Sequence, residues 1–588
     1  LKHSRLRGTL PPPLPGLPAG GPPRALEKRL PSPRLPAVRG ASGCKMRRAL
    51  LTLGGLAGLG AAQQAGKFED GPQVLVHWCD EDGTCEAEEG AFTIDASWRV
   101  QHNATEGGWQ SCIIQDGMWQ SRLCPDPLTC AKHCAVDGMS LDDYADVHGI
   151  TELEDGIKLN YVTATQYGLN IGSRLYMLDE DYHNYKTFKL KNREFRFDID
   201  VSSLPCGVNA AIYLVGMDKS GGKGKGNNDA GAKYGTGYCD AHCPHSSNFI
   251  NGEANMDWQY GACCPEIDLF EGNSEASAYT AHPCDKVNFV KCNNPTECGD
   301  SDKGHHYEGH CDKDGCDFNP YRMGSKDFWG GTVKTDKVIT VITQFVTADG
   351  TDDGELQEIR RVYSQGGRVI QNSKSAVPGV SGDSIGDWYC SHNKKEFAGT
   401  RADKNAKGDF DQFAAKGGMK KVGEALDHGM VLVASLWDDP GSNMRWLDSE
   451  SPHKHPDAKG AKRGPCDPDG SAMHVRRMHQ LAYVKFTNFM YGKIGSTIKA
   501  KGTRLRRRFE QRKVRTGARA AAAAVVERQR SVPIAVAATL SVALLALLPV
   551  TWLRSRSRRT LGASPVERAQ DDDAAVPLAP ATATNEES

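Results

Sequence analysis

Apolar residues are arranged along this chain in three ways, and each predicts a different element. Residues 266–272 alternate. In an extended strand successive side chains point to opposite faces, so Glu266 and Asp268 share one side while Ile267 and Leu269 share the other. A strand with acids above a packed core is expected. Glu271 lies five positions after Glu266 and would point away, so it joins the acidic face only if a β-bulge re-aims it. Val532 to Leu553 is instead an uncharged run of 22 residues, long enough as a helix to cross about 30 Å of hydrocarbon. The basic flank Arg554-Ser555-Arg556-Ser557-Arg558-Arg559 reads as a stop sequence for a single-pass anchor whose amino end is outside, although the basic stretch Arg504 to Arg530 would then lie outside too. The third pattern is short. Met46-Arg47-Arg48, the apolar stretch Ala49 to Leu59 and the small residues Gly60-Ala61-Ala62 read together as a secretory signal peptide.

These patterns divide the chain. Residues 1–45, rich in Pro and Arg and without apolar periodicity, read as an upstream extension outside the native protein or a disordered arm. A signal peptide follows at 46–62 and a folded body at 63–500, the only stretch with the apolar patterning and tryptophans of a packed domain. A basic linker at 501–531, a transmembrane helix at 532–553 and a disordered cytoplasmic tail at 554–588 complete the chain. The expected location is the secretory pathway, as a single-pass membrane protein with an extracellular or lumenal catalytic domain. Net charge is −1, which leaves no global footprint for nucleic acid, although the Arg-rich linker could touch anionic surfaces.

Eighteen of the 19 cysteines fall between Cys79 and Cys466, an even number behind a secretory signal. That favours disulfides in an oxidising compartment over metal sites. The acidic cluster offers chemistry of its own. Two carboxylates on one wall, about 5–5.5 Å apart, are what a retaining glycosidase uses, one attacking the anomeric carbon while the other protonates the leaving oxygen. Asp268 could orient the attacking group. Taken alone, E-x-D-x-x-E fits a solvated acidic strand or a calcium site equally well.

The surroundings of the cluster decide between these. Thr93-Ile94-Asp95-Ala96-Ser97-Trp98-Arg99, Leu204-Pro205-Cys206-Gly207-Val208-Asn209, Ala232-Lys233-Tyr234-Gly235-Thr236-Gly237-Tyr238-Cys239-Asp240 and Phe249-Ile250-Asn251-Gly252-Glu253-Ala254-Asn255 precede it or lead into it. Cys311-Asp312-Lys313-Asp314-Gly315-Cys316-Asp317-Phe318-Asn319-Pro320-Tyr321-Arg322 and Met430-Val431-Leu432-Val433-Ala434-Ser435-Leu436-Trp437-Asp438-Asp439 follow. From about Val74 to Ser496 this ordered set resembles glycoside hydrolase family 7, the cellobiohydrolases and endoglucanases that cut β-1,4-glucan. The resemblance implies an all-β jelly-roll sandwich of two curved antiparallel sheets, with long loops forming a glucan-binding cleft or partial tunnel. It implies Glu266 as nucleophile, Glu271 as acid/base, Asp268 as the partner that tunes Glu266, and His282 as a histidine close to the acid/base. Trp98, Trp437 and Trp446 match indole platforms for sugar faces. Asn209, Tyr213, Tyr234, Asp240, His242, Asp314, Arg322 and Arg463 match polar contacts to the glucan, with Arg463 at the leaving-product end.

By the same resemblance the cysteines pair as Cys79–Cys85, Cys112–Cys134, Cys124–Cys130, Cys206–Cys466, Cys239–Cys264, Cys243–Cys263, Cys284–Cys311, Cys292–Cys298 and Cys316–Cys390, leaving Cys44. No metal or cofactor is expected, and the protein should act as a monomer on cellulose or a related β-glucan. The chain also departs from the family. Val100 stands where tunnel-type members often have an entrance tryptophan, His242 replaces a glutamine and Asn248 a lysine. Only seven residues separate Asn255 from Cys263, where tunnel-type members carry a longer covering loop. Gly299 to His310 keeps its length, but Asp302 and His306 replace a tyrosine and an arginine, and Pro440-Gly441 replaces an aromatic pair. A partly roofed cleft is expected, in a membrane-anchored retaining β-1,4-glucanase of cellobiohydrolase type that releases mainly cellobiose. The alternatives are an endo-β-glucanase acting on mixed-linkage or own-wall glucan, and a non-catalytic glucan-binding wall protein.

Overall fold

The computed structural model describes residues 64–499 apart from 67, 105–109, 115–117, 167, 399–410 and 453–454. The expected signal peptide, linker, transmembrane helix and tail lie outside the described residues. Among the described residues no helix is long and apolar enough to cross a membrane.

Two packed β-layers form the body. In the first, Cys316–Phe318, Ser277–His282, Glu266–Gly272, Asn209–Val215, Met430–Trp437, Ser173–Leu178 and Cys85–Ile94 lie side by side, each pair antiparallel. In the second, Tyr483–Lys493, Arg193–Asp200, Ile339–Thr347 and Leu356–Gln365 do the same. The two-sheet expectation needs one correction. Strand Gln73–Cys79 pairs antiparallel with Cys85–Ile94 and parallel with Tyr483–Lys493, so both layers belong to one continuous 17-stranded mixed sheet. The hairpin closed by Cys79–Cys85 makes this possible, because Gln73–Cys79 offers one edge to each layer.

Alternation puts the core between the layers. Leu175 and Met177, Ile212 and Leu214, and Leu432, Ala434 and Leu436 face it from the first layer; Phe195, Phe197, Val341, Phe345, Phe486 and Phe489 meet them from the second. Phe197 and Phe270 touch across the gap with ring centroids 6.4 Å apart. Burying each such side chain contributes about 1.5–3 kcal/mol relative to leaving it exposed. On the first layer's other face, Tyr176, Ala211, Tyr213, Val215, Val431 and Val433 pack against Ala232, Tyr238, Ile250 and Ala262 from the loops above. Strands buried on both faces read as continuous apolar runs, and Asn209–Val215 and Met430–Trp437 do.

All nine pairings implied by the resemblance are present. Cys206–Cys466 closes the longest loop, 260 residues. Cys243, Cys263, Cys284, Cys292, Cys298 and Cys311 gather in one buried cluster that roots the loops beside the acidic strand.

Candidate active site

The bulge that the sequence required is present. On one side of the acidic strand Tyr213 pairs with Asp268 and Ile212 with Phe270, so Leu269 has no partner. On the other, Asp268 pairs with Thr280 and Glu271 with Ala278, which leaves Leu269 and Phe270 opposite Tyr279 alone. Both apolar side chains enter the core. The extra residue restores phase, and Glu271 comes round to the face of Glu266 and Asp268, where Asn209 Nδ2 donates to its Oε1 at 2.8 Å.

Each carboxylate has its own surroundings. Glu266, 7% exposed, accepts a hydrogen bond from the Ala241 backbone N–H at 3.0 Å. Asp268 faces His282 Nε2 at 3.2 Å, and His282 Nδ1 lies 2.8 Å from the Asp312 carbonyl. Both ring nitrogens thus have acceptors, which holds the imidazole in its protonated form. Burial opposes that charge, but the bond to Asp268 outweighs it and lifts His282 to about 9. Burial, then Asp268, push Glu271 up to about 8. Burial and the same neighbour push Glu266 well above the ordinary carboxylate range, against the pull of the Ala241 N–H. Asp268 and His282 form an ion pair beside them, and burial together with Asp268 favours the protonated form of both Glu266 and Glu271. Ligand atoms of His242, Glu266 and His282 lie within 4.8 Å of one another, but the two partners of His282 already use the nitrogens a metal would need.

The floor beside the acids is a hydrogen-bonded series. Tyr238 Oη donates to Asp240 Oδ2 at 2.6 Å, so Tyr213 Oη, 3.0 Å away, donates to Tyr238. Asp240 Oδ1 accepts from the His242 backbone N–H at 2.8 Å, closing the turn that aims Ala241 N–H at Glu266. Arg174, which the sequence reading passed over, lies 3.4 Å above the Tyr238 ring and 5.4 Å from that of Trp98, and pairs with Asp95 at 2.8 Å. Trp98, expected as a platform, is thereby joined to the acids through Arg174, Tyr238 and Asp240. Tyr234 is half-buried at the same end, 6.0 Å from the Arg99 guanidinium.

Trp437 and Trp446 lie together, with ring centroids 6.2 Å apart. Trp437 is 37% exposed on a strand position directly opposite Asn209, while Trp446 packs on Ala278, Met444 and Leu447. Arg322 departs from a simple glucan contact. Its Nη1 is taken by Asp317, its Nε donates to the Gly460 carbonyl at 3.0 Å, and it is 9% exposed. Arg463 reaches the same Asp317 carboxylate at 3.7 Å, and burial together with Arg322 lowers it to about 10. Asp317, quoted within a motif yet not chosen as a site residue, is thus what holds both arginines. Asp314 is half-buried, and against the desolvation this brings His306 holds it well below the usual carboxylate range, through a 2.7 Å contact from Nε2.

Segment 299–310 is clasped to its surroundings by side chains: His245–Asp300 at 3.0 Å, His306–Asp314, and His310–Asp285 at 3.0 Å. Gln412 and Lys416 donate to the carbonyls of Tyr307 and Gly309. Segment 256–262, shorter than the covering loop of tunnel-type members, is a tight turn with Asp257 and Trp258 at φ 60° and 54°. Val100, where an entrance indole was missed, is 45% exposed.

Comparison with known proteins agrees with this geometry. The Glycosyl hydrolase family 7 model matches residues 64–498. The chain belongs to that family. This family 7 hydrolase is similar to a cellobiohydrolase from Daphnia pulex, with 41% identity over 74% of this chain and 100% of that one and a TM-score of 0.70. A cellobiohydrolase from Melanocarpus albomyces, solved with cellotetraose, shows 34% identity over 74% and 99%, with a TM-score of 0.67. An endocellulase from Humicola insolens shows 33% identity over 74% and 100%, with a TM-score of 0.62. Relatives of this hydrolase therefore include both cellobiohydrolases and endoglucanases.

Proposed function

We propose that this protein hydrolyses β-1,4-glucosidic bonds of cellulose with retention of configuration, releasing mainly cellobiose. The observation that carries the reading is the bulge at Leu269, which leaves Glu266, Asp268 and Glu271 on one face. A Glu266 oxygen bonds to the anomeric carbon as the glycosidic C–O bond breaks, and the Glu271 proton passes to the leaving oxygen. Water then gives its proton to Glu271 and its oxygen to the anomeric carbon, freeing Glu266. A group held up at about 8 keeps its proton for the first step. The Asp268–His282 pair sits beside Glu266 and orients it. Trp98, Trp437 and Trp446 carry sugar faces, with Asp314, Arg322 and Arg463 at the product end. Secretion and anchoring through residues 532–553 complete the reading.

Product profiling on cellulose, mixed-linkage glucan and xylan tests it. Cellobiose from cellulose as the main soluble product is expected; glucan binding without hydrolysis would leave the wall-protein reading. An endo-acting enzyme is the second reading, and the short 256–262 turn favours it. Scattered oligosaccharides from mixed-linkage glucan, with little cellobiose from cellulose, would select it.

A further inference from the structure

The Leu356–Gln365 strand belongs to the layer opposite the one that carries Glu266, Asp268 and Glu271, yet one of its side chains reaches across the core to the bulge. Ile359 and Tyr363 on that strand face the core, and Arg361 lies between them, 2% exposed. Hydrocarbon would pack there without the cost of desolvating a cation, which is several kcal/mol for an ion without a partner. No carboxylate pairs with Arg361 among the described residues. Its Nη2 donates to the Leu269 carbonyl and, at 3.2 Å, lies within bonding distance of Thr343 Oγ1. Its guanidinium carbon is 4.4 Å from the ring centre of Tyr279 and 5.6 Å from that of Tyr363. Leu269 is the extra residue of the bulge, and Tyr279 is the single residue opposite it. Arg361 therefore grips both sides of the irregularity that sets the direction of Glu271.

We infer that Arg361 is a positioning residue for the acid/base: it fixes the Leu269 bulge from behind the sheet and so sets the placement of Glu271 relative to Glu266. A bulge leaves a backbone group outside the ladder, and a carbonyl buried there needs a donor from elsewhere. Arg361 supplies it as a charge-assisted bond, stronger than a neutral one. The flat aromatic faces of Tyr279 and Tyr363 stabilise the cation without a competing carboxylate. A carboxylate in that place would add negative charge behind Glu266 and Glu271, whose ionised forms are already disfavoured by burial. Removing the guanidinium frees the Leu269 carbonyl and lets the strand settle toward regular pairing, which turns Glu271 away from Glu266. This inference rests on the reading that Glu266 and Glu271 carry the chemistry.

The test is steady-state kinetics of Arg361→Met and Arg361→Lys on a chromogenic cellobioside, normalised to folded protein by circular dichroism and a thermal melt. Misplacement by about 1 Å can cost about 100-fold. Arg361→Met should lose roughly that factor in kcat with KM little changed. The alkaline limb of its pH profile should move to lower pH as water reaches Glu271, and Arg361→Lys should recover part of both effects. Wild-type kcat per folded molecule with an unmoved alkaline limb would overturn the inference, as would a lysine variant no better than methionine. If Arg361→Met does not fold, Arg361→Gln takes its place with the same criteria. Absence of hydrolysis by the wild-type protein on every β-glucan would instead overturn the underlying reading.

Discussion

Beneath the acids, the Asn209–Val215 and Met430–Trp437 strands are buried on both faces and hydrogen-bonded on both edges, whereas segment 299–310 beside them carries one short 3-10 turn, Ser301–Lys303, makes only turn-type and isolated backbone bonds, and is clasped to its surroundings by side chains. The first region fixes side chains through backbone pairing, so moving one residue by one register step turns every neighbour over. The second relies on isolated turn bonds and on separate side-chain contacts, three of which join a histidine to a carboxylate. Floor and roof should therefore fail differently. Changes in the floor alter chemistry at every pH, while changes in the roof alter how long a glucan chain stays and leave bond cleavage intact.

The largest break in that comparison comes from Glu266→Gln and Glu271→Gln. Activity on cellulose should fall to the assay floor for the first and by about 10²–10⁴-fold for the second, without loss of the melting transition, because each change is nearly isosteric. Retained activity in either would remove the assigned role. Asp268→Asn should be milder, since it tunes Glu266 without forming or breaking a bond.

Next comes the dependence of stability on pH, which belongs to the floor. The Glu271 carboxyl has a folded pKa of about 8 against an ordinary 4.5, so the folded protein binds the extra proton between those values. Its contribution is complete below 4.5 and is lost as pH rises through 8. His282, raised from 6.5 to about 9, has the same sign. The melting temperature should fall from pH 5 to pH 9 by roughly the span these groups define, and Glu271→Gln should flatten part of that fall. Thermal melts of both proteins across this range check it; parallel curves would mean Glu271 is not held protonated.

The roof gives smaller effects. His306→Ala removes the clasp on Asp314 and should lower the ratio of soluble to insoluble new reducing ends on cellulose, as deletion of residues 301–308 should more strongly. Hydrolysis of a small soluble cellobioside should hardly change. An unchanged ratio after the deletion would mean that the segment does not cover the chain. Smallest of all, Trp437→Ala should raise KM about five-fold, the equivalent of about 1 kcal/mol of lost ring contact, leaving kcat close to wild type.

What the sequence could disclose followed the same division. Alternation placed Glu266 and Asp268 on one face, and the odd spacing of Glu271 made a bulge a requirement; the bulge is there because Leu269 and Phe270 both have core sites to fill. The cysteine pairs, implied by resemblance, all closed. Arg174 and Arg361 were not legible, since each acts through a distant partner, Asp95 or Leu269, and nothing in local period marks them; Asp317 lies five positions from Arg322, but its tie to Arg463 has no local signal. The joining of the layers through Gln73–Cys79 was hidden for the same reason: a parallel pairing to residues 489–492 has no local signal. Arg322 was read as a glucan contact because its motif matched, but its local partner Asp317 claims much of the guanidinium.

In the proposed reaction a bulged strand brings a nucleophile and an acid to one face for two successive displacements at the anomeric carbon. Proton NMR of the first soluble product, recorded before mutarotation, tests it directly. Two displacements predict the β-anomer as the initial signal, with the α-anomer growing in later. An initial α-anomer would contradict the account, because it requires water in place of Glu266 as the group that attacks.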